Sequence, residues 1–417
     1  MGAPLRVAVV ARAVMPLHGV GGLERSVHDL VVYLAKRGVQ VTLITPPAWS
    51  AAQASPFDPA RVTLRPVRYV TFPLANRRGT TILDRSTAYP LFGWRAGRAA
   101  AELAARGAVD IVHGFGASVL GYASARSRVG VPLVVNPQGL EEFGATGAQP
   151  ALKRAAYWPL RRAVRATTRA ADAIIATDRA LVPALTRHLE PRPDQVRVIP
   201  NGIDVPVIDA LASAADVERL RARHGLAPNE IVLLSVGRLE ANKGFDDLAA
   251  ALGRSAAGSR PLGRSTWRWV LVGSGPFAAD IERAVDAQGL ADRVLFAGRA
   301  SDADLHAWYE AATLFVHPTR YEGSSLVTLE AMAHRRAVVA TRAGGLPDKV
   351  RPGTNGWLVE PGDVAALAAA IDEALANPAA LSAMGEAGRA IVEREFAWSV
   401  LVDAQLALYD ELRLRRA

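Results

Sequence analysis

The chain has 417 residues, of which 50% are hydrophobic and 21% charged, a composition typical of a globular protein with more than one domain. It contains no cysteine, which excludes disulfides, thiolate metal sites and thiol nucleophiles. The formal net charge of +9 favours anionic partners such as phosphates, but the dispersed arginines, not interleaved with aromatic residues, argue against nucleic acid.

Short β-branched runs alternate with Ala- and Leu-rich helical stretches along the chain, a pattern typical of parallel sheets covered by helices on both faces. A first set of strands is predicted at residues 5–11, 39–45, 110–113, 133–136, 173–177 and 196–199. A second set is predicted at residues 231–237, 269–273, 294–298, 314–317, 337–341 and 357–359. The fold class is therefore α/β, with two doubly wound domains.

The segment "PNGIDVPVID" separates the two sets, because Pro200, Gly202 and Pro206 interrupt any regular element there. We expect an N-terminal domain over 1–203, a second domain over 204–395 and a helical tail over 396–417. Ligands of such sheets bind outside the carboxyl ends of the strands, so we expect binding in a cleft between the domains.

A glycine-rich turn follows the first predicted strand in "PLHGVGGLERSVHDLVVYLAKRG". Gly21 and Gly22 permit close backbone approach, and the helix that they open offers unpaired N–H groups to an anion. A tight strand-to-helix turn explains the same residues. The fingerprint G-x-G-x-x-G is absent, which disfavours a nicotinamide-dependent oxidoreductase.

Four lysines remain among the 49 basic residues, and Lys243 is the one that follows a strand end within a glycine-containing motif, "SVGRLEANKG". A fixed guanidinium from Arg238 and a mobile ammonium from Lys243 suit a diphosphate, which spreads its charge over several oxygens. Two further strands end in Gly273 and Gly275, and in Arg299. These ends fit either a flat base or ribose, or ordinary strand-to-helix turns.

The densest motif is "LFVHPTRYEGSSLVTLEAMA", in which a loop carries Glu322 and a serine caps a helix that carries Glu330. One carboxylate in a loop and one well within a helix cannot form a single short clamp. Carboxylates suit the vicinal hydroxyls of sugars, so the pair fits opposite ends of an extended ligand. The alternative is that both are solvated surface residues.

Six segments resemble, in order and over nearly the whole chain, those of the retaining glycosyltransferase family 4. They are "GVGGLERSV", "VIPNGID", "SVGRLEANKG", "VGSGP", "FAGRASDADLHAWYEAATLFVHPTRYEGSSLVTLEAMA" and "VVATRAGGLPDKVRPGTNGWLVEPGD". The resemblance implies the GT-B fold, in which two Rossmann-like domains face each other across a cleft and a C-terminal helix crosses back to the N-terminal domain. It also implies a nucleoside-diphosphate sugar, with UDP, GDP or ADP, as co-substrate, without a bound cofactor or metal.

By this resemblance, Arg238 and Lys243 would hold the donor diphosphate, Glu322 the transferred sugar and Glu330 the ribose. The remaining donor contacts would come from Gly21, Gly22, Gly237, Gly273, Gly275, Arg299, Gly323, Ser324, Ser325, Leu326 and Val327. Catalysis would rest on charge stabilisation of the leaving diphosphate, and a front-face route is favoured over a covalent intermediate.

The sequence departs from the family at three places. Many members carry two histidines as H-x-H, whereas here Phe115 takes the second position, so His113 either reaches the reacting sugar or is a strand-end histidine. Asp348 replaces the usual glutamate of the GG-x-P-E turn, and "GSS" follows Glu322 in place of a glycine-phenylalanine pair. The donor sugar stays open.

The acceptor is expected on the N-terminal domain, as a saccharide or a lipid-linked hydroxyl. Its least regular stretch, residues 67–95, is either an acceptor-binding segment or a long surface loop with buried anchors. Candidate contacts are His18, Arg77, Arg78 and Trp94.

A basic segment around Trp158, "ALKRAAYWPLRRAVRATTRA", lies either on an anionic membrane or in solvent. No stretch approaches the ~20 apolar residues of a membrane span, and the apolar start is too short for a signal peptide. We expect a cytoplasmic protein, either free in solution or in peripheral contact with the inner membrane face. The alternative function is a non-catalytic sugar-nucleotide-binding subunit of a glycosyltransferase complex.

Overall fold

A computed structural model describes residues 3–19, 21–49, 55–71, 80–144, 150–257, 261–262 and 265–415. Contacts within the chain divide it into two units. The N-terminal unit is Met1–Asn201 together with Trp398–Ala417, and the C-terminal unit is Gly202–Ala397.

The N-terminal unit alternates strands with helices. Its strands are β1 (Arg6–Val10), β2 (Gln40–Thr45), β3 (Val62–Pro66), β4 (Ile111–Phe115), β5 (Leu133–Asn136), β6 (Ala173–Ala176) and β7 (Val196–Val198). Its helices up to Asn201 are α1 (Gly22–Lys36), α2 (Thr80–Ala105), α3 (Leu120–Val129), α4 (Ala151–Ala156), α5 (Trp158–Ala170) and α6 (Leu181–Leu189). The strands form one parallel sheet in the order β3-β2-β1-β4-β5-β6-β7.

The C-terminal unit repeats the plan. Its strands are β8 (Ile231–Val236), β9 (Trp267–Val272), β10 (Val294–Gly298), β11 (Leu314–His317), β12 (Val338–Thr341) and β13 (Gly356–Val359). Its helices are α7 (Val205–Ala210), α8 (Ala214–Arg223), α9 (Phe245–Ala256), α10 (Ala278–Ala287), α11 (Asp302–Ala311), α12 (Leu326–Ala333), α13 (Val364–Ala376) and α14 (Pro378–Ile391). The parallel sheet has the order β10-β9-β8-β11-β12-β13.

The strands are apolar on both faces because helices cover both sides of each sheet. In β1, Val7 and Val9 belong to one hydrophobic cluster, while Ala8 and Val10 belong to the cluster on the opposite face. β8 divides its residues between two clusters in the same way. The predicted α/β class with two doubly wound sheets is confirmed.

The last helix, α15 (Trp398–Leu414), packs on the N-terminal unit, as expected. The Trp398 ring stacks on Tyr33 of α1 with 6.2 Å between ring centroids. Leu401, Val402 and Tyr409 join the cluster that covers one face of β1.

Two expectations about the N-terminal unit were wrong. β3 was missed because polar residues alternate with its apolar ones and it ends in a proline, so it lacks a continuous apolar run. The stretch over residues 67–95 was expected to be irregular, but from Thr80 onward it belongs to α2, which contains Pro90 within the helix.

Within the described ranges, no single helix combines the length and the apolar character that crossing a membrane requires. The bent pair Val364–Ala376 and Pro378–Phe396 meets both criteria together, with an angle of 102° between its halves.

Candidate functional site

The order of the C-terminal sheet reverses between β8 and β11, which are neighbours at its centre. Loops that leave the carboxyl ends of two such strands diverge to opposite faces, and the crevice between them is the usual ligand site of this architecture. The loop after β8 carries Arg238 and Lys243, and the loop after β11 carries Glu322. The candidate site therefore lies at the carboxyl ends of β8 and β11.

Lys243 and Glu322 form an ion pair between the loops that follow β8 and β11. The Lys243 Nζ lies 2.7 Å from Glu322 Oε2, and both side chains are at most 16% exposed. Gly244 makes this possible, because its positive φ and missing Cβ let the Lys243 loop approach the carbonyl oxygen of Pro318.

Glu322 has a second partner that the sequence did not reveal. The His317 Nε2 lies 2.8 Å from the same oxygen, Glu322 Oε2, and the imidazole is fully buried at the end of β11. A carboxylate oxygen accepts, so Nε2 carries the hydrogen. Burial by itself raises the pKa of Glu322, but the His317 hydrogen bond and the Lys243 charge outweigh it and hold that pKa at about 2.

The Glu322 loop is fixed from the other side by the turn after β12. A Cβ on Gly344, which has φ of 50°, would overlap the Glu322 carbonyl oxygen. Gly345 N also donates to Gly323 O at 3.3 Å. This turn ends with Asp348, the residue that replaces the family glutamate, and is followed by the fully buried Lys349.

The start of α12 lies directly after this loop. Ser325 is its N-cap, and Ser325 Oγ accepts from Thr328 N at 3.4 Å. The first-turn N–H groups of a helix have no intrahelical acceptor, so those at Leu326 and Val327 suit an anion. Ser324 Oγ is buried without a hydrogen-bond partner among the described residues.

Glu330 lies one turn further along α12 and is 3% exposed. Tyr309 on α11 donates to Glu330 Oε2 at 3.0 Å, and its hydroxyl also lies 3.2 Å from Val327 O. Glu322 and Glu330 thus have separate partners, which agrees with two distinct roles rather than one carboxylate clamp.

Two predicted basic residues lie at the surface. Arg238 follows β8, but its side chain is 75% exposed. It forms an ion pair with Glu240 at 2.8 Å. Arg299 follows β10 and is also exposed.

Two predicted glycines pack against neighbouring backbone. A Cβ on Gly273 would overlap the carbonyl oxygen of Gly237, and one on Gly275 would overlap that of Leu239. Contacts within the protein therefore explain why glycine is required at positions 273 and 275, without a ligand. By contrast, no atom lies within 4 Å of a Cβ built on Gly323.

In the N-terminal unit, α1 begins at Gly22 with Gly21 as its N-cap, without a side-chain capping bond. A Cβ on Gly22 would meet nothing within 4 Å, whereas a Cβ on Gly21 would overlap the Glu24 carboxylate of the first turn.

His113 is fully enclosed within the N-terminal unit. Its ring is 1% exposed, stacks on Phe115 and has Nδ1 2.6 Å from the Tyr409 hydroxyl. Burial lowers the pKa of His113 to about 3, so the imidazole is neutral. This placement favours the strand-end histidine over the residue that reaches a sugar.

Two of the four acceptor candidates, His18 and Trp94, lie among the described residues. His18 is buried, with Val14 N donating to Nδ1 at 3.1 Å and Nε2 donating to Pro46 O at 3.0 Å, so both ring nitrogens already serve the loop. Trp94 is 43% exposed on α2. Arg77 and Arg78 lie outside the described residues. Among the described residues, no group of three or more His, Asp or Glu side chains is arranged to hold a metal ion.

Two family models match the chain: "Glycosyltransferase Family 4" over residues 20–206 and "Glycosyl transferases group 1" over residues 216–391. A D-inositol 3-phosphate glycosyltransferase of Acidothermus cellulolyticus is 31% identical, over 99% of this chain and 92% of the relative. The chain belongs to glycosyltransferase family 4. The resemblance in its motifs is thereby confirmed, and the protein is a glycosyltransferase.

Solved structures agree with the GT-B fold of this family 4 glycosyltransferase. Sucrose-phosphate synthase from Thermosynechococcus elongatus superposes with a TM-score of 0.75 and 26% identity, covering 99% of this chain and 100% of that one. HepE from Anabaena, solved in complex with UDP, gives a TM-score of 0.70 with 20% identity, covering 98% and 100%.

The sequence analysis missed His317 and Tyr309, which contact the candidate site residues Glu322 and Glu330. His317 had one usable signal, because it ends a buried strand five positions before Glu322. Tyr309 had none, since it lies 21 positions before Glu330 on a different helix.

Proposed function

We propose that this family 4 member is a retaining glycosyltransferase that moves a sugar from a nucleoside diphosphate to a hydroxyl of a saccharide or lipid-linked acceptor. This proposal rests on the 2.7 Å ion pair between Lys243 and Glu322, which lies at the carboxyl ends of the adjacent strands β8 and β11. An ammonium suits a diphosphate and a carboxylate suits sugar hydroxyls, so the pair supports a nucleotide sugar as the ligand.

In this proposal Lys243 and Arg238 hold the diphosphate, Glu322 the sugar and Glu330 the ribose. The backbone from Gly323 to Val327 donates to sugar and phosphate. Arg238 must turn away from Glu240, with which it forms an ion pair, to take this role. Arginine side chains that are mostly exposed reorient at little cost.

The reaction proceeds through an oxocarbenium-like transition state, in which the bond from the anomeric carbon to the diphosphate breaks and negative charge grows on the leaving group. Lys243, Arg238 and the α12 N-terminus stabilise that charge without a metal ion. Attack of the acceptor hydroxyl on the same face, with its proton passing to the departing diphosphate, retains the anomeric configuration.

Thermal shift with UDP-, GDP- and ADP-sugars tests the donor, since a ligand that binds the folded state raises stability with the logarithm of its concentration over Kd. Stabilisation by one nucleotide series, lost in Lys243→Ala and kept in the control Lys36→Ala, is the expected result. Equal stabilisation of both variants would remove Lys243 from the donor site.

Configuration at the anomeric carbon is tested by NMR of the product formed from an α-linked donor. An α-linked product is expected, and a β-linked product would refute retention.

Slow release of nucleoside diphosphate from the donor, without acceptor, distinguishes an enzyme from a non-catalytic binding subunit. The enzymatic names of the relatives already disfavour that subunit.

For the acceptor, the Acidothermus relative is named for D-inositol 3-phosphate, which makes phosphorylated cyclitols the first members of an acceptor panel. Simple saccharides and lipid-linked sugars complete it. Transfer to none of the three classes, with donor hydrolysis intact, would refute the proposed acceptor range.

Peripheral membrane contact belongs to the same proposal and rests on one face of α5. Trp158 is 59% exposed there, and Leu152 of the preceding α4 is 84% exposed. A surface depression on this face is lined by Trp158, Arg161, Arg162, Arg165, Ala166 and Arg169. Arginines beside an exposed tryptophan suit an anionic lipid surface.

Co-sedimentation with liposomes that contain anionic lipid tests this contact. Binding that falls with salt and in Trp158→Ala is expected, whereas Trp49→Ala, which removes another exposed tryptophan, should bind like the parent protein. Failure to sediment with anionic liposomes at low salt would end the membrane proposal.

A further inference from the structure

His317 is a fully buried histidine in the candidate site, with one of its two ring nitrogens used. Nε2 bonds Glu322 Oε2 at 2.8 Å, while Nδ1 is buried without a hydrogen-bond partner among the described residues. The ring lies beside Phe315 on the same strand, with 5.9 Å between centroids. An imidazole nitrogen left without a partner in such surroundings costs folding free energy.

The bond to Glu322 explains why a histidine suits this position better than an apolar residue. Lys243 and His317 both bond Oε2, whereas Oε1 accepts only from Gly323 N, at 3.2 Å, among the described residues. A carboxylate oxygen can accept more than one hydrogen bond. His317 therefore fixes one oxygen and leaves the other with capacity for a ligand hydroxyl.

The two partners of Oε2 differ in what a donor substrate would do to them. Lys243 is a mobile ammonium on a flexible stem, and a diphosphate beside it would compete with Glu322 for its charge. His317 is rigid, neutral and enclosed, so a phosphate cannot draw it away. When Lys243 turns to the diphosphate, His317 is the partner that keeps Glu322 in place.

We propose that His317 is a positioning residue for the donor sugar: its Nε2–H holds Glu322 in the orientation that binds sugar hydroxyls while Lys243 serves the diphosphate. This inference rests on the proposed function, because it takes Glu322 as the sugar ligand.

Two amide variants that differ by one methylene group test the inference. The Nε2 of glutamine extends about as far from the backbone as the Nε2 of histidine, whereas the amide of asparagine is too short to reach Glu322. His317→Gln should keep KM for the nucleotide sugar within about threefold of the parent, and His317→Asn should raise it about tenfold or more. Both should bind the free nucleoside diphosphate within about twofold of the parent, because that ligand lacks the sugar.

A merely structural role would act on sugar and nucleotide alike, so the split between the nucleotide-sugar KM and the nucleotide Kd is the decisive readout. Melting temperatures establish that both variants are folded, and His224→Gln, a histidine that packs on Trp308 away from Glu322, is the matched control. Equal KM values for the Gln and Asn variants, whether normal or raised, would overturn the inference.

Lys243→Ala and Glu322→Ala are measured in parallel to separate this outcome from failure of the proposed function. Parent-like activity in both would refute the donor-site assignment itself, and the role of His317 with it. Impaired activity in both, together with no Gln–Asn difference at 317, would refute the positioning role alone.

Discussion

Tyr309 and Glu330 lie on separate helices of the C-terminal unit, yet the Tyr309 hydroxyl donates a 3.0 Å hydrogen bond to Glu330 Oε2. Glu330 is 3% exposed and Tyr309 is fully buried, so the carboxylate is held where solvent has little access. A buried hydrogen bond to a charged group contributes more than one between neutral groups.

We predict that Tyr309→Phe raises Kd for the nucleoside diphosphate about five- to tenfold, because the proposed ribose ligand loses its fixed orientation. Isothermal titration with the free nucleotide measures this. Tyr122→Phe is the control, since it removes a buried hydroxyl bonded to Val131 O in the N-terminal unit. Unchanged nucleotide affinity in Tyr309→Phe would contradict the role of this bond.

The Lys243 variant carries a second prediction, on the rate. Lys243→Ala should lower kcat by about a hundredfold or more, the order of one lost contact to a leaving oxyanion. The variant also leaves Glu322 with His317 as its side-chain partner, so the glutamate stays bonded. Steady-state kinetics at saturating donor measure the effect, and turnover within a few-fold of the parent would exclude Lys243 from stabilising the leaving group.

Most strands could be predicted from the sequence because each contains a short, largely apolar run. β3 could not, since Thr63 and Arg65 alternate with its apolar residues and the strand ends in a proline. α2 was missed because Pro90 is normally excluded from a helix interior, and here tertiary packing tolerates it.

In the candidate site, too, the sequence predicted single residues but not their contacts. The motifs indicated Lys243 and Glu322 separately, by residue type and strand ends, but not that they contact each other across 79 positions. Likewise the family pattern suggested His113 for the reacting sugar, while its orientation toward Tyr409 depends on how α15 packs. Such pairings arise from tertiary structure and leave no local signal.

The Glu322 pKa of about 2 predicts how the C-terminal unit responds to acid. In the unfolded chain a glutamate titrates near 4.3, so the unfolded state binds a proton first as the pH falls. The stabilisation from ionised Glu322 is complete above about pH 5 and is lost as the pH falls from there through 2. NMR of the Glu322 side-chain carboxyl should show it ionised at pH 4, and a midpoint near 4.3 would contradict the site geometry.

His113 predicts a loss of stability at a higher pH. Its folded pKa is about 3 because of burial, whereas the unfolded chain takes up the proton near 6.5. Stability should be constant above about pH 7 and decline as the pH falls from 6.5 toward 3. Between pH 6.5 and 4.5 this group alone accounts for roughly 2–3 kcal/mol.

Denaturant unfolding of the parent and of His113→Gln at several pH values isolates this contribution. The variant is expected to be less stable at pH 7.5, through loss of packing, but to lose less stability on acidification. Parallel pH dependences for parent and variant would show that folding does not lower the pKa of His113.

The stack of Trp398 on Tyr33 predicts which unit depends on the C-terminal helix. Both rings are less than 9% exposed, and Trp398 belongs to the cluster that covers one face of β1. Trp398→Ala should lower the free energy of unfolding by about 3–5 kcal/mol, the usual range for emptying a buried tryptophan site.

Because α15 belongs to the N-terminal unit, amide protection in Trp398→Ala should fall in β1 and α1 and persist in β8 and β11. Trp269→Ala, a buried tryptophan of β9, should produce the opposite pattern. Hydrogen exchange followed by mass spectrometry resolves the two units, and equal loss of protection in both would mean that they unfold as one.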